Sequence, residues 1–330
     1  MAVWARQDPI YSLELLVVSR LRTVNNHKQE GLNMKKTLFI PIISLLALGI
    51  PGISPAQNLF QSDSQSGRIY EYTPGGLQSV FASGLNLPQG LAFNSAGDLF
   101  VAENVSSDIV EFTPAGVESI FASGLNSPLG LAFDSSGNLF AADYHSGNIY
   151  RFTPAGVRTT FASGLSNPVA LAFDNAGNLF VGGQRANITK ITPGGVLSIF
   201  ASGAFDNSGL AFNNAGDLFE ADGPSGNIYE FTPGGVQSTY ASGFTGHAQG
   251  VTFDSAGNLF VSTWFDPSGG SIYKVTPSGQ VSTFVTGLDY PEYMAFQPVP
   301  EPSVWALLGL GVVTLLVFWR KSAPGICATA

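Results

Sequence analysis

Residues 131–164 read LAFDSSGNLFAADYHSGNIYRFTPAGVRTTFASG, and the fold is decided by this stretch. Leu131-Ala132-Phe133 is a short apolar strand. It is closed by Asp134-Ser135-Ser136-Gly137-Asn138, a turn-rich run with glycine where a positive φ is needed. Leu139-Phe140-Ala141-Ala142 is a second strand. Ile149-Tyr150-Arg151-Phe152 is a third, ended by Thr153-Pro154-Ala155-Gly156, and Val157 to Phe161 is a fourth. Polarity rises from the first strand to the last. A first strand apolar on both faces is expected innermost in a blade wedged between two neighbours, and an alternating fourth strand is expected at its outer edge.

The same unit recurs along the chain. Thr-Pro returns at 73, 113, 153, 192, 232 and 276, and the aromatic residue opening Phe-Ala-Ser-Gly returns at 81, 121, 161, 200, 240 and 284. Leu-Ala-Phe begins at 91, 131, 171 and 210, with Val251-Thr252-Phe253 and Met294-Ala295-Phe296 as variants. Four antiparallel strands in a repeat of ~40–45 residues is the pattern of a β-propeller. Whole blades begin at 91, 131, 171, 210 and 251. Residues 58–84 supply strands two to four without a first strand, and residues 294–296 supply a first strand with nothing after it. The expected fold is all-β: a six-bladed propeller whose sixth blade joins the N-terminal strands to the C-terminal one. The repeat Pro-x-Gly-Leu-Ala-Phe-Asp, Gly-Asn-Leu-Phe-x-Ala-Asp, Gly-Asn-Ile-Tyr resembles NHL-repeat propellers and their gluconolactonase-like and streptogramin-lyase-like relatives over about 58–297. Those relatives include binding proteins, hydrolases and lyases, so the resemblance implies a fold and leaves activity open.

Charge divides the chain differently. Residues 57–302 carry six basic and twenty acidic side chains, a net charge of −14, while the remaining eight basic residues lie in the two ends. An acidic ring argues against nucleic acid as a partner. The single cysteine, Cys327, excludes an internal disulfide framework and a Cys-rich zinc module. Met34-Lys35-Lys36, the apolar run Leu38–Ile50 and the small residues Ser54-Pro55-Ala56 give residues 34–56 the form of a secretory signal peptide, with 1–33 as an upstream extension. The propeller is then expected over 57–298. Residues 304–319 carry no charge and are followed by Arg320-Lys321, as in a short membrane helix with its basic end in the cytoplasm.

Pro300-Glu301-Pro302 stands just before that run. Over 299–321 the trio, the apolar helix and the basic end resemble the PEP-CTERM sorting signal of Gram-negative bacteria. The resemblance implies export across the inner membrane, transient membrane anchoring through 304–319, and removal of the tail during export by a membrane-embedded exosortase, which leaves the protein at the cell surface or in the extracellular matrix. The tail 322–330 departs from the usual form, and a plain C-terminal anchor is the alternative.

Connections between strands one and two, and between three and four, hardly change among the copies. The second-to-third loops and the blade-to-blade crossings vary, and alternating connections place them together on one face, the expected functional face. Loops include Tyr144-His145 and Gln184-Arg185, and the longest runs from Trp264 to Ser271. In one sector of blades five and six, His247, Gln249, Trp264, Phe265, Tyr290, Glu292, Tyr293 and Asp63 are candidates for ligand contact. Aromatic faces with amides and an acid suit a sugar ring. An extracellular polysaccharide is therefore the expected ligand of a non-catalytic binding protein, with aromatic loop packing around a solvated acid as the plainer alternative. In gluconolactonase-like enzymes, ligands for a divalent ion come from the residue before the glycine of an inner strand. The matching positions are Gln89, Leu129, Val169, Ser208, Gln249 and Glu292, with one acid among them. A hard cation wants more carboxylate oxygen than that, and no metal or other cofactor is expected.

The acids ending strand two (Asp63, Glu103, Asp143, Asp222) read better as turn caps than as a carboxylate ring. Asp134-Ser135-Ser136-Gly137-Asn138 reads as a turn rather than a calcium loop. His145 and His247 belong to nearly opposite blades, which disfavours a shared metal or catalytic role. A streptogramin-lyase-like mechanism would need a His base beside a second acid–base group, and His247 with Glu292 is the pair the sequence offers.

Overall fold

A computed structural model of the chain describes residues 57–184, 187–203, 207–264 and 269–299. Over these residues twenty-four strands form six four-stranded antiparallel sheets. The first three strands, β1 (Leu59–Asp63), β2 (Arg68–Tyr72) and β3 (Gln78–Ser83), share a sheet with the last, β24 (Pro291–Phe296). Leu59 pairs with Phe296, Phe60 with Ala295 and Gln61 with Met294. The ring therefore closes through a blade made from both ends of the described chain, as the unpaired fragments in the sequence require. In the other five sheets the four strands run consecutively in sequence.

The repeated aromatics build every seam in the same way. In each blade the strand-two aromatic meets the strand-four aromatic of its own blade and the strand-one aromatic of the next, edge to face. Phe140 lies 5.0 Å from both Phe161 and Phe173. The two seams flanking the composite blade match: Phe260–Phe296 at 5.1 Å and Phe60–Phe93 at 5.0 Å. Such pairs each contribute about 0.5–1.5 kcal/mol beyond area burial. These two seams also carry side-chain hydrogen bonds. Ser62 Oγ donates to Gln89 O at 2.7 Å, and Ser262 Oγ donates to Glu292 O. At this position the other blades have Ala102, Ala142, Gly182 and Ala221, none of which has a hydroxyl.

Two expectations about strand polarity are corrected. The most buried strand is the second, not the first: β5 (Leu99–Glu103), β9 (Leu139–Asp143) and β17 (Leu218–Asp222) are buried along their whole length. The first strands, such as β8 (Pro128–Phe133), are buried only in part, because they border an open axial channel. The fourth strand does not alternate. In β11 (Arg158–Ala162) the first three residues are all exposed, because this strand stands at the rim, where neighbouring blades diverge and water reaches both faces.

The invariant turns are held by side chains acting on backbone. Asp134 Oδ1 accepts from the N–H groups of Ser136 and Asn138, and Gly137 sits at φ 78°. Thr153 Oγ1 accepts from Val157 N at 3.2 Å. The Asp134 oxygens are occupied by the loop itself, which is the turn reading rather than the calcium one.

Candidate functional site

The crossing between blades delivers one side chain per blade to the channel mouth. Each first strand enters its sheet through a register shift: Pro88/Leu91 in β4 (Pro88–Phe93), Pro128/Leu131 in β8, and Ala248/Val251 in β20 (His247–Phe253). Such bulges bend the strand and re-aim the extra residue. In every blade the residue at this point lines one cavity of about 480 Å³: Gln89, Leu129, Val169, Ser208, Gln249 and Glu292. The next residue is glycine in four blades because the neighbouring backbone is too close for anything larger. A Cβ on Gly130 would lie 2.3 Å from Val169 O.

Tyr293 takes that glycine position in the composite blade. Its phenol donates to Val169 O of blade three at 3.3 Å, so the side chain reaches across the ring to the opposite blade. Tyr293 lines both the 480 Å³ cavity and a second one of about 630 Å³ on the other side, walled by first-strand residues such as Leu131, Leu171 and Val251. It stands between the two mouths of the channel. Burial pushes its phenol well above the usual tyrosine range, with the neighbouring Glu292 adding to the shift.

Glu292 borders the same cavity. Burial raises its carboxyl to about 7; hydrogen bonds from Ser64 and Gln89 pull it down, and the Asp63 charge pushes it up. Ser64 Oγ lies 3.0 Å from Glu292 Oε1. Trp264 lines the wall with His247, at 5.6 Å between ring centroids, and Tyr290 backs it at 4.8 Å.

Of the eight residues expected in the blade five–six sector, His247, Gln249, Trp264, Glu292 and Tyr293 line this cavity. Tyr290 lies behind Trp264. Asp63 is fully buried and acts as a cap: its carboxylate accepts from Ser66 N at 3.0 Å and Tyr290 N at 3.1 Å. Glu103 and Asp143 do the same, accepting from Asn86 N at 2.7 Å and Asn126 N at 2.6 Å. Phe265 lies outside the described residues, as do Pro300, Glu301, Pro302 and the 304–319 run.

The cavity is also wider than one sector. Tyr144 and His145 of blade two and Gln184 of blade three line it too, and Tyr144 Oη hydrogen-bonds Gln184 Oε1. His145 Nδ1 is 2.8 Å from Ser127 Oγ. The two histidines placed apart by blade counting thus share one chamber.

A further acid was missed. Glu220 in β17 is wholly buried, and neither carboxyl oxygen has a hydrogen-bond partner. Burial, with Asp222 nearby, raises it to about 8. Its position holds Val101, Ala141, Val181 and Val261 in four other blades and Gln61 in the composite one, so an acid in a mostly apolar series was the available signal. Among the described residues no group of three or more His, Cys, Asp or Glu side chains is placed to hold a metal ion.

Comparison with known proteins bears on both the ring and its tail. The PEP-CTERM protein-sorting motif matches residues 298–322. No curated protein matches the chain in sequence. Among solved structures, a chain of the nidogen/laminin complex aligns at 19% identity and TM-score 0.66, covering 74% of this chain and 99% of that one. A gluconolactonase from Xanthomonas campestris aligns at 15% identity and TM-score 0.60, covering 75% and 97%. Virginiamycin B lyase from Staphylococcus aureus aligns at 16% identity and TM-score 0.57, covering 70% and 81%. At these identities the likeness is one of fold, and it spans enzymes and a chain of a binding complex alike. The sorting motif implies an exported, exosortase-processed protein of the cell surface. The chain is a six-bladed β-propeller, similar in fold to gluconolactonase, virginiamycin B lyase and the nidogen/laminin chain, that carries a PEP-CTERM protein-sorting motif at its C-terminal end.

Proposed function

We propose that this exported propeller is a non-catalytic binding protein for extracellular polysaccharide, with the axial cavity as its ligand site. On this reading residues 34–56 are a signal peptide, 304–319 hold the protein in the membrane until an exosortase removes the tail, and the 57–298 ring is released to the surface or matrix. The observation that carries the proposal is the lining of the 480 Å³ cavity: indole and phenol faces from Trp264 and Tyr293 beside the amides Gln89, Gln184 and Gln249 and the acid Glu292. Flat apolar faces stack on the C–H face of a pyranose while amides and a carboxyl exchange hydrogen bonds with its hydroxyls. Glycan-array binding by the purified protein, with affinity falling at least about tenfold in Trp264→Ala, is the expected result. Undiminished binding in that variant would remove the cavity from the account.

One observation favours a second reading. Glu292, held at about 7, shares the chamber with His247 and His145, and a carboxyl near the working pH and an imidazole lining one chamber supply an acid and a base to a bound substrate. Turnover of lactones or macrocyclic esters, lost in Glu292→Gln, would assign the propeller to the hydrolase or lyase group.

A further inference from the structure

Blade three departs from the repeat at a position that borders a cavity. The residue after the third-strand isoleucine is Tyr70, Tyr150, Tyr229 and Tyr273 in four blades, Val110 in blade one and Thr189 in blade three. In blades two, five and six the tyrosine ring packs under the crossing from the preceding blade. Tyr273 lies 5.3 Å from Phe244, Tyr150 joins the cluster holding Leu125, and Tyr70 joins that holding Leu288. The phenol oxygen is met by a polar side chain in each case. Asn148 Nδ2 donates to Tyr150 Oη at 3.1 Å, Asn227 Nδ2 to Tyr229 Oη at 3.2 Å and Arg68 Nη1 to Tyr70 Oη at 3.3 Å, while Tyr273 pairs with Thr245. In blade one Val110 fills the place and is buried.

Thr189 in β14 (Ile188–Ile191) has nearly the size of Val110 but is only half-buried. A cavity of about 570 Å³ opens there, bounded by Leu165 of the crossing, by Val181 of β13 (Leu179–Gly183) and by Ser198 and Ile199 of β15 (Leu197–Ala201). Asn187 lines this cavity at the same two-residue offset as Asn148 and Asn227. Its tyrosine is missing and its amide remains.

We propose that this hollow is a binding site for a phenolic ring, with the ring between Leu165 and Val181 and its hydroxyl accepting a hydrogen bond from the Asn187 amide. Blades two, five and six are the internal template: in each, a p-hydroxyphenyl group packs against the crossing from the preceding blade. The chemistry is common to a free small phenol and to a tyrosyl side chain.

The test is titration of the purified protein with p-cresol, toluene and N-acetyl-L-tyrosinamide, read from the methyl NMR signals of Leu165, Val181 and Ile199. Expected are shifts with p-cresol, affinity for toluene several-fold weaker, and loss of that preference in Asn187→Ala. Thr189→Tyr should fill the hole with the residue the other blades use, keep the native fold and weaken p-cresol at least tenfold. Tighter binding of the tyrosinamide than of p-cresol would support a tyrosyl side chain as the source, and the reverse a free phenol. Absence of p-cresol shifts at these methyls, equal affinity for toluene, or p-cresol binding that survives Thr189→Tyr would each overturn the proposal.

Discussion

The phenol of Tyr293 and the carbonyl oxygen of Val169 are 3.3 Å apart although their residues belong to opposite blades of the ring. A single side chain in the position of a glycine thereby spans the axis and separates the two mouths of the channel. Four first strands keep that glycine because the next blade's backbone leaves no room. In the composite blade the residue turns inward instead.

Tyr293→Phe should keep the barrier and lose one hydrogen bond, at a cost of about 0.5–1.5 kcal/mol. Tyr293→Gly should join the two cavities and destabilise the ring by up to about 3 kcal/mol, since the side chain is only partly buried. Denaturant melts and a crystal structure of the glycine variant check both. Two chambers still separate in that structure would show that Tyr293 is not the barrier.

Glu220 makes a prediction about pH. Its carboxyl is held at about 8 by burial, whereas in the unfolded chain it releases its proton near 4.5. The folded state therefore binds more protons than the unfolded one between these values. The stability associated with Glu220 is fully present below about pH 4.5 and is lost as pH rises through 8. Glu220→Val, which installs the residue found in three other blades, should gain roughly 3–5 kcal/mol more stability over the parent at pH 9 than at pH 4. Glu292 titrates in an overlapping window, so the difference between the two proteins across pH is the quantity to measure. A difference independent of pH would contradict the assignment.

Closure of the ring is tested by removing β24. A chain ending at residue 290 loses the Leu59–Phe296 pairing and the Phe260–Phe296 contact together, leaving β1 as an open edge and Phe260 uncovered. Cooperative thermal unfolding should be lost or shifted down by more than 10 °C, because a contact at the join of the ring supports both flanking blades. An unchanged melt would mean that the five complete blades are stable without the join.

The architecture was legible because a propeller repeats its backbone, and the backbone is written in residues that recur. Thr153, Gly137, Phe140 and Phe161 each have a copy in nearly every blade, so three series in register specify turns, seams and the composite blade. The chamber was legible only in part. Repeat comparison located the face, and it found His247, Gln249, Trp264, Glu292 and Tyr293. It could not show that Tyr293 crosses the axis, because reach depends on the ring's diameter and not on spacing along the chain. Blade counting also set His145 opposite His247 without revealing that one chamber is narrow enough to hold both. Asp63 was a candidate because it lies near that sector in ring order, yet two backbone N–H groups claim its carboxylate. Glu220 and Thr189 were visible as departures from mostly apolar and mostly tyrosine series, and only packing showed one to be a buried acid and the other to border a cavity.

A crystal structure of the protein with a bound oligosaccharide would locate the ligand. Sugar density should lie within the axial chamber, with a pyranose face against Trp264 or Tyr293 and hydroxyls within hydrogen-bond distance of Gln249 and Glu292. Density confined to the outer rim or the opposite mouth, with the chamber empty at saturating ligand, would contradict that placement.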